Sequence, residues 1–213
     1  VRNDEVLYDS LLGLSADGSP GHTTRLLGEV ERAAAAAGGW QRVRGIAVGL
    51  GPGSFTGLRV GVATARALGA SRGLPVRGAG TLDALALGVA ERADAGQLRL
   101  AVLDARRGEA FAAIYSPSGE RLWGPWVGTP EELGKRLAKR SAAVLTAGSG
   151  AVRFRRELED RGAEVPDDED AVHRVSAPNV CRVAAAGAAA ALAPIYLRPP
   201  DAERWRERDD AQT

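Results

Sequence analysis

The sequence predicts an α/β fold with mostly parallel strands, and three observations carry that prediction. Apolar runs of strand length alternate with stretches of helical periodicity along most of the chain. Two turn sequences, Arg106-Arg107-Gly108 and Pro117-Ser118-Gly119, follow each other at hairpin spacing and mark an antiparallel meander in the middle. The chain has 213 residues, 45% hydrophobic and 26% charged, which is enough for one packed core or two small ones without a disulfide or a metal.

Taken in order, residues 6–14 read as a strand and 15–21 as a polar Gly/Ser/Pro loop. From His22 the pattern turns helical. Leu26, Leu27, Val30, Ala33, Ala34 and Ala37 share one face, and Gly38-Gly39 stops the helix. Residues 43–50 form an apolar strand, and the loop 51–57 leads into a helix over 58–72, closed by Gly73. Pro75 opens a short strand. A helix over 81–93 carries Asp83 in its first turn, where a negative charge suits the dipole. The meander occupies 98–104, 109–115 and 120–127. Then come a helix at 130–140, a strand at 142–147, a helix at 151–162, a weak strand at 171–175 and an alanine-rich helix at 178–193. Residues 195–198 read as extended, and a charged tail follows from 201. A meander feeding alternating units suggests a second α/β lobe. The expected division is 1–96, 97–200 and a tail at 201–213.

The charge balance gives no electrostatic case for a dedicated nucleic-acid binder: Lys+Arg is 28, Asp+Glu 27, and the formal net charge +1. All basic residues except Lys135 and Lys139 are arginines, which reads as the codon usage of a GC-rich genome. Cys181 is the only cysteine, so a disulfide framework and a cysteine-based zinc site are excluded. No apolar run approaches the ~18 residues of a membrane span and no signal peptide opens the chain, so a cytoplasmic protein is expected. Only His22 and His173 could act as imidazole bases, and neither stands in a metal-ligand spacing. Cys181 reads as core packing, Asp104 as turn chemistry, and the run Asp167-Asp168-Glu169-Asp170 as a solvated loop.

The most pronounced local feature is Gly51-Pro52-Gly53-Ser54-Phe55-Thr56-Gly57, with Leu58-Arg59 after it, between a strand and a helix. Such a turn presents backbone N–H groups and the positive dipole end to an anion; it also serves as a plain tight turn capped by Ser54 or Thr56. It is neither a P-loop, because no Lys-Ser/Thr follows Gly57, nor a dinucleotide fingerprint, because Thr56 stands where the third glycine would be. In the helix after it, Gly57, Gly61, Ala65 and Gly69 recur every four residues on one face. Each helical glycine costs ~1 kcal/mol relative to alanine, so something must come close. The spacing leaves two choices open, the chain's own sheet or a helix of a partner chain.

Gly51-Pro-Gly-Ser-Phe-Thr-Gly-Leu-Arg59, Ala63, Pro75 and Thr81-Leu-Asp-Ala84 closely resemble the TsaB (YeaZ-type) family. Asp104-Ala-Arg-Arg-Gly-Glu109, Ile195-Tyr-Leu-Arg198 and Pro200-Asp-Ala-Glu203 add to the resemblance. The matches run from about residue 22 to 203. The resemblance implies an actin-like ATPase (ASKHA) fold of two ribonuclease-H-like lobes. It implies a non-catalytic subunit of the bacterial machinery that makes N6-threonylcarbamoyladenosine at position 37 of tRNAs reading codons that begin with A. The implied partners are the catalytic paralogue TsaD, the ATPase TsaE and a second copy of the chain, with tRNA met only through company. No cofactor is implied for the subunit alone, although a nucleotide at the complex interface is compatible with the family.

In the family the pairing helices correspond to 22–38 and 57–72. This tips the small-residue face toward a partner and makes Leu26, Leu27, Val30, Ala34, Gly57, Gly61, Ala65 and Gly69 the expected interface. TsaD carries a metal-binding His-x-x-x-His pair where this chain reads Thr81-Leu-Asp-Ala-Leu85, and Leu85 cannot ligate. The competing reading is a metallopeptidase-like or kinase-like enzyme on the same fold. Family members open with two paired strands and a turn, roughly 20 residues. Here the chain starts at the turn after them, with Val1-Arg2-Asn3-Asp4, so a first lobe lacking its leading hairpin and a longer natural N-terminus are expected.

Overall fold

The parallel pairing in this chain begins with one strand–helix–strand unit. In the computed structural model, which describes residues 1–3, 5–12, 25–140, 142–187 and 191–198, β1 (Ile46–Gly51) leads through α2 (Phe55–Arg72) to β2 (Val76–Gly80). β1 and β2 pair in parallel, Ile46 opposite Val76 and Gly49 opposite Ala79. Before them stands α1 (Leu26–Ala36), followed by a 3₁₀ turn at Trp40–Arg42.

A second sheet has the order β5-β4-β3-β6-β7. Its meander is β3 (Leu98–Arg106), β4 (Glu109–Tyr115) and β5 (Arg121–Gly128), paired antiparallel. β6 (Val144–Ala147) and β7 (Ala163–Glu164) add in parallel on the other side of β3. Both faces of this sheet are covered, so β4 is buried almost from end to end and reads as a continuous apolar run rather than an alternation.

One face packs on α4 (Pro130–Leu137), α5 (Ser149–Arg153) and α6 (Arg155–Glu159). There Leu100, Val102 and Ile114 meet Leu133, Leu137 and Leu158. α4 starts sharply because Thr129 and Glu132 form a reciprocal capping box and Pro130 takes the first turn. The other face packs on α3 (Thr81–Val89), whose Leu82, Leu85 and Ala86 bury against Ala101, Phe111 and Tyr115. α7 (Ala177–Ala186) lies across α3 and the first sheet, with Ser176 accepting from Asn179 N as its cap.

Several sequence expectations shift, each for a local reason. Residues 6–12 form no strand, because among the described residues none pairs with them and the isolated Arg2–Glu5 bridge lies before them; positions 13 and 14 lie outside the described residues. The first helix begins at Leu26, with 22–24 outside the described residues. α2 starts three residues early because Ser54 Oγ takes the Gly57 N–H at 3.3 Å. The helix expected at 81–93 ends at Val89, and the one expected at 151–162 is two pieces broken at Phe154. The strand expected at 171–175 is a 3₁₀ turn, Ala171–His173. Asp170 caps it by accepting from Val172 N at 3.0 Å, and the real edge strand is the two-residue β7. α7 stops at Ala186; 188–190 and the tail from 199 lie outside the described residues.

Two polar groups tie the layers. His173 is buried and satisfied: Nδ1 accepts from Gly148 N at 3.1 Å and Nε2 donates to Pro166 O at 3.1 Å. Asp83, in the first turn of α3, accepts from the Tyr115 hydroxyl at 2.7 Å and from Arg121 at 3.1 Å, joining α3 to β4 and β5. Burial, and then the Asp83 carboxylate, push the Tyr115 phenol far above its usual range, so it stays a donor. Tyr115→Phe is expected to lower stability by about 1–3 kcal/mol, the scale of a hydrogen bond to a charged group. Urea unfolding reads it, and an unchanged midpoint would show that the bond carries no weight.

Candidate interaction site around the glycine-rich loop

The loop after β1 is built to let another segment come close. Gly51 has φ +105°, and a Cβ there would stand 2.9 Å from Ile195 O. Ile195 N donates to Leu50 O at 2.6 Å, which lays residues 195–198 along the loop. The Gly51–Pro52 peptide is cis. Ser54 caps α2, so at that residue the loop is the strand-to-helix turn of the simpler reading.

On this seat the tail of the fold makes a clasp. The Tyr196 and Phe55 rings pack at 5.1 Å between centroids. The Arg59 guanidinium lies over the Phe55 ring at 3.9 Å, and its Nε donates to Tyr196 Oη at 3.4 Å. Arg66 Nη2 holds Leu192 O at 2.6 Å. Further on, Leu197 packs on the α3–β4 cluster, and Arg198 reaches the β3–β4 hairpin, pairing with Glu109 and donating to Ala105 O at 2.6 Å. In that hairpin Asp104 is fully engaged: Oδ1 accepts from Arg106 N and Oδ2 from Arg153 Nη1, both at 2.8 Å. Three separate motifs of the sequence, 51–59, 104–109 and 195–198, are thus one constellation. Nothing in their spacing foretells it, since Arg59 and Tyr196 stand 137 positions apart.

The small-residue row of α2 points inward. Ala65 and Gly69 are buried, a Cβ at Gly69 would overlap Val76 Cγ2 and stand 3.1 Å from Leu74 O, and Gly61 sits over Val48. Gly61 and Gly69 therefore face β1 and β2, the first of the two choices the spacing left open. Within the expected interface Ala34 is buried as well. Leu26, Val30, Gly57 and Gly61 are half-buried, and Leu27 is the exposed member at 58%. The outward face of α2 is instead Thr56, Arg59, Ala63, Arg66, Ala67 and Ala70. A glycine row predicts a close approach without saying on which side, and here the close neighbour is the chain's own sheet.

The inward faces of α1 and α2 do not close on each other. With β1 and α7 they line an open groove of about 1170 Å³, whose apolar walls include Leu26, Val30, Ile46, Val48, Leu68 and Val180. β1 pairs only with β2 among the described residues. The opening segment is tethered beside the groove: Arg2 donates to Ala37 O at 2.6 Å and the Tyr8 hydroxyl donates to Glu29. Hydrogen bonds from Tyr8 and Ser10, with Arg32 nearby, hold the Glu29 carboxyl below the usual range. Cys181 also lines the groove, and burial raises its thiol pKa. Leu85 is 1% exposed in the core, and no group of three His, Cys, Asp or Glu residues comes together among the described residues. No helix among them is long and apolar enough to cross a membrane.

The family described as TsaD, tRNA N6-adenosine threonylcarbamoyltransferase, matches residues 17–157. The Escherichia coli tRNA threonylcarbamoyladenosine biosynthesis protein TsaB is 30% identical, the match covering 83% of this chain and 80% of that one. An uncharacterized Mycobacterium leprae protein, ML0378, is 49% identical over 88 residues, 41% of this chain and 23% of its own length. Among solved structures, YeaZ from Pseudomonas aeruginosa superposes with a TM-score of 0.65 at 25% identity, covering 83% of this chain and 85% of that one.

Gly69→Ala tests the inward packing. Helix propensity alone would favour alanine by ~1 kcal/mol. Overpacking against Val76 and Leu74 is expected to outweigh that by about 1 kcal/mol or more, so thermal unfolding should move down. A rise in the midpoint would put Gly69 on a free face.

Proposed function

The chain belongs to the TsaB/YeaZ family, with its actin-like α/β fold, and from that premise we propose that it is the non-catalytic, dimerising subunit of the complex that forms N6-threonylcarbamoyladenosine at position 37 of tRNAs decoding codons that begin with A. Its principal partner is the catalytic paralogue TsaD, and TsaE joins the assembly. In isolation the chain pairs with a second copy. Transfer RNA reaches it through the complex, any nucleotide sits between subunits, and the setting is the cytoplasm. Its lobes divide near residues 96 and 97.

The observation that supports this most is the core position of Leu85, in the segment where the catalytic paralogue carries its second metal-binding histidine. A leucine packed against the second sheet supplies no ligand, and Thr81 is a poor one. The chain's contribution is then to hold its partner. α1 and α2 remain the pairing elements, through their outward faces rather than through the glycine row.

Ala67 is exposed on α2 and touches no core cluster, so it separates pairing from folding better than Gly61, whose side stands over Val48. Ala67→Glu is expected to weaken binding to the TsaD paralogue at least about tenfold in calorimetry, the scale of a misplaced charge at an interface core, with an unchanged melting temperature. Wild-type chain that fails to bind the paralogue would overturn the proposal.

A further inference from the structure

The outward face of α2 is electrostatically one-sided. Phe55–Arg72 contains Arg59, Arg66 and Arg72 and no acidic residue. The three arginines are not alike. Arg72 lies over the Trp40 ring and pairs with Glu31, and Arg66 is drawn to Leu192 O. Among the described residues Arg59 is held from behind only: Phe55 supports its guanidinium plane and Tyr196 takes its Nε. Its two terminal nitrogens have no hydrogen-bond partner among the described residues, and its neighbours outward on the helix, Thr56 and Ala63, are small.

A guanidinium fixed in this way offers a planar fork of donors whose orientation is already set, which is the arrangement that takes a carboxylate bidentately. We infer that Arg59 is the anchor of the pairing surface. The outward face of α2 receives a helix of the partner protein, and the Arg59 fork takes an Asp or Glu side chain from it. This rests on the proposed function and adds which residue selects the partner and by what chemistry. An acidic helix fits better than RNA, because phosphate tracking needs rows of free cations, whereas here Arg66 and Arg72 turn back to their own chain and, among the described residues, one fork stands open. The exposed Ala63, Ala67 and Ala70 let a helix lie close beside that fork.

Calorimetry of the full chain against the TsaD paralogue tests it with three variants. Arg59→Ala should weaken binding about tenfold or more, as truncating a central charged contact does. Arg59→Lys should recover only part of this, since an ammonium keeps the charge and loses the fork. Tyr196→Phe, which keeps the ring and removes the orienting hydroxyl, should fall between wild type and Arg59→Ala. Melting curves of each variant confirm folding. Folded Arg59→Ala that binds like wild type overturns the inference and leaves the proposed function standing. So does full recovery by Arg59→Lys, or loss of tRNA retention with paralogue binding intact. Wild-type chain that does not bind the paralogue overturns both.

Discussion

One backbone hydrogen bond, Ile195 N to Leu50 O, seats the end of the described chain on the turn that begins α2. Gly51 makes room for it, because no side chain fits between Leu58 and Ile195 O. From that seat Tyr196 reaches Phe55 and Arg59, Leu197 reaches the core under α3, and Arg198 reaches the β3–β4 hairpin. The clasp thus links the start of α2 to the β3–β4 hairpin and holds Arg59 in its pose on the outer face of the helix. A glycine-rich loop that resembles a ligand cradle in sequence is used here as a receptor for the chain's own segment.

The two sheets are unequal, and the inequality has physical content. The second is five-stranded, covered on both faces and nearly continuous in burial. The first has two described strands, and such a pair relies on the helices around it for its stability. α2 presses its smallest residues onto that pair, which accounts for helical glycines that would otherwise weaken the helix. α3 and α7 connect the two halves, with Asp83 tied to Tyr115 and Arg121.

Much of this was legible in the sequence, for reasons that differ by element. β4 was read to the residue because hairpin turns bound it on both sides. α4 was legible in its start, since Thr129, Pro130 and Glu132 are local signals. β7 leaves no signal because two residues carry no pattern, and Ala171–His173 reads as a strand because a buried turn and a buried strand look alike in apolar content. For the site, sequence resemblance found every motif but not their meeting. The inward direction of Gly61, Ala65 and Gly69 was beyond periodicity, which fixes a common face and not the neighbour it meets. In the sequence Arg59 stands out only as part of a motif. Its support by Phe55 is an i, i+4 contact that spacing permits, whereas Tyr196 arrives from a distance no local pattern reports.

The proposed function makes the chain a holder and not the catalyst. Reconstituted modification of unmodified tRNA, read as N6-threonylcarbamoyladenosine by nucleoside mass spectrometry, tests this most directly. With an activated threonylcarbamoyl donor supplied in every reaction, product is expected when the TsaD paralogue, its ATPase partner and this chain are combined, and none when this chain is present without the paralogue. Product formed by this chain alone, or formed equally well by the other components without it, would contradict the account.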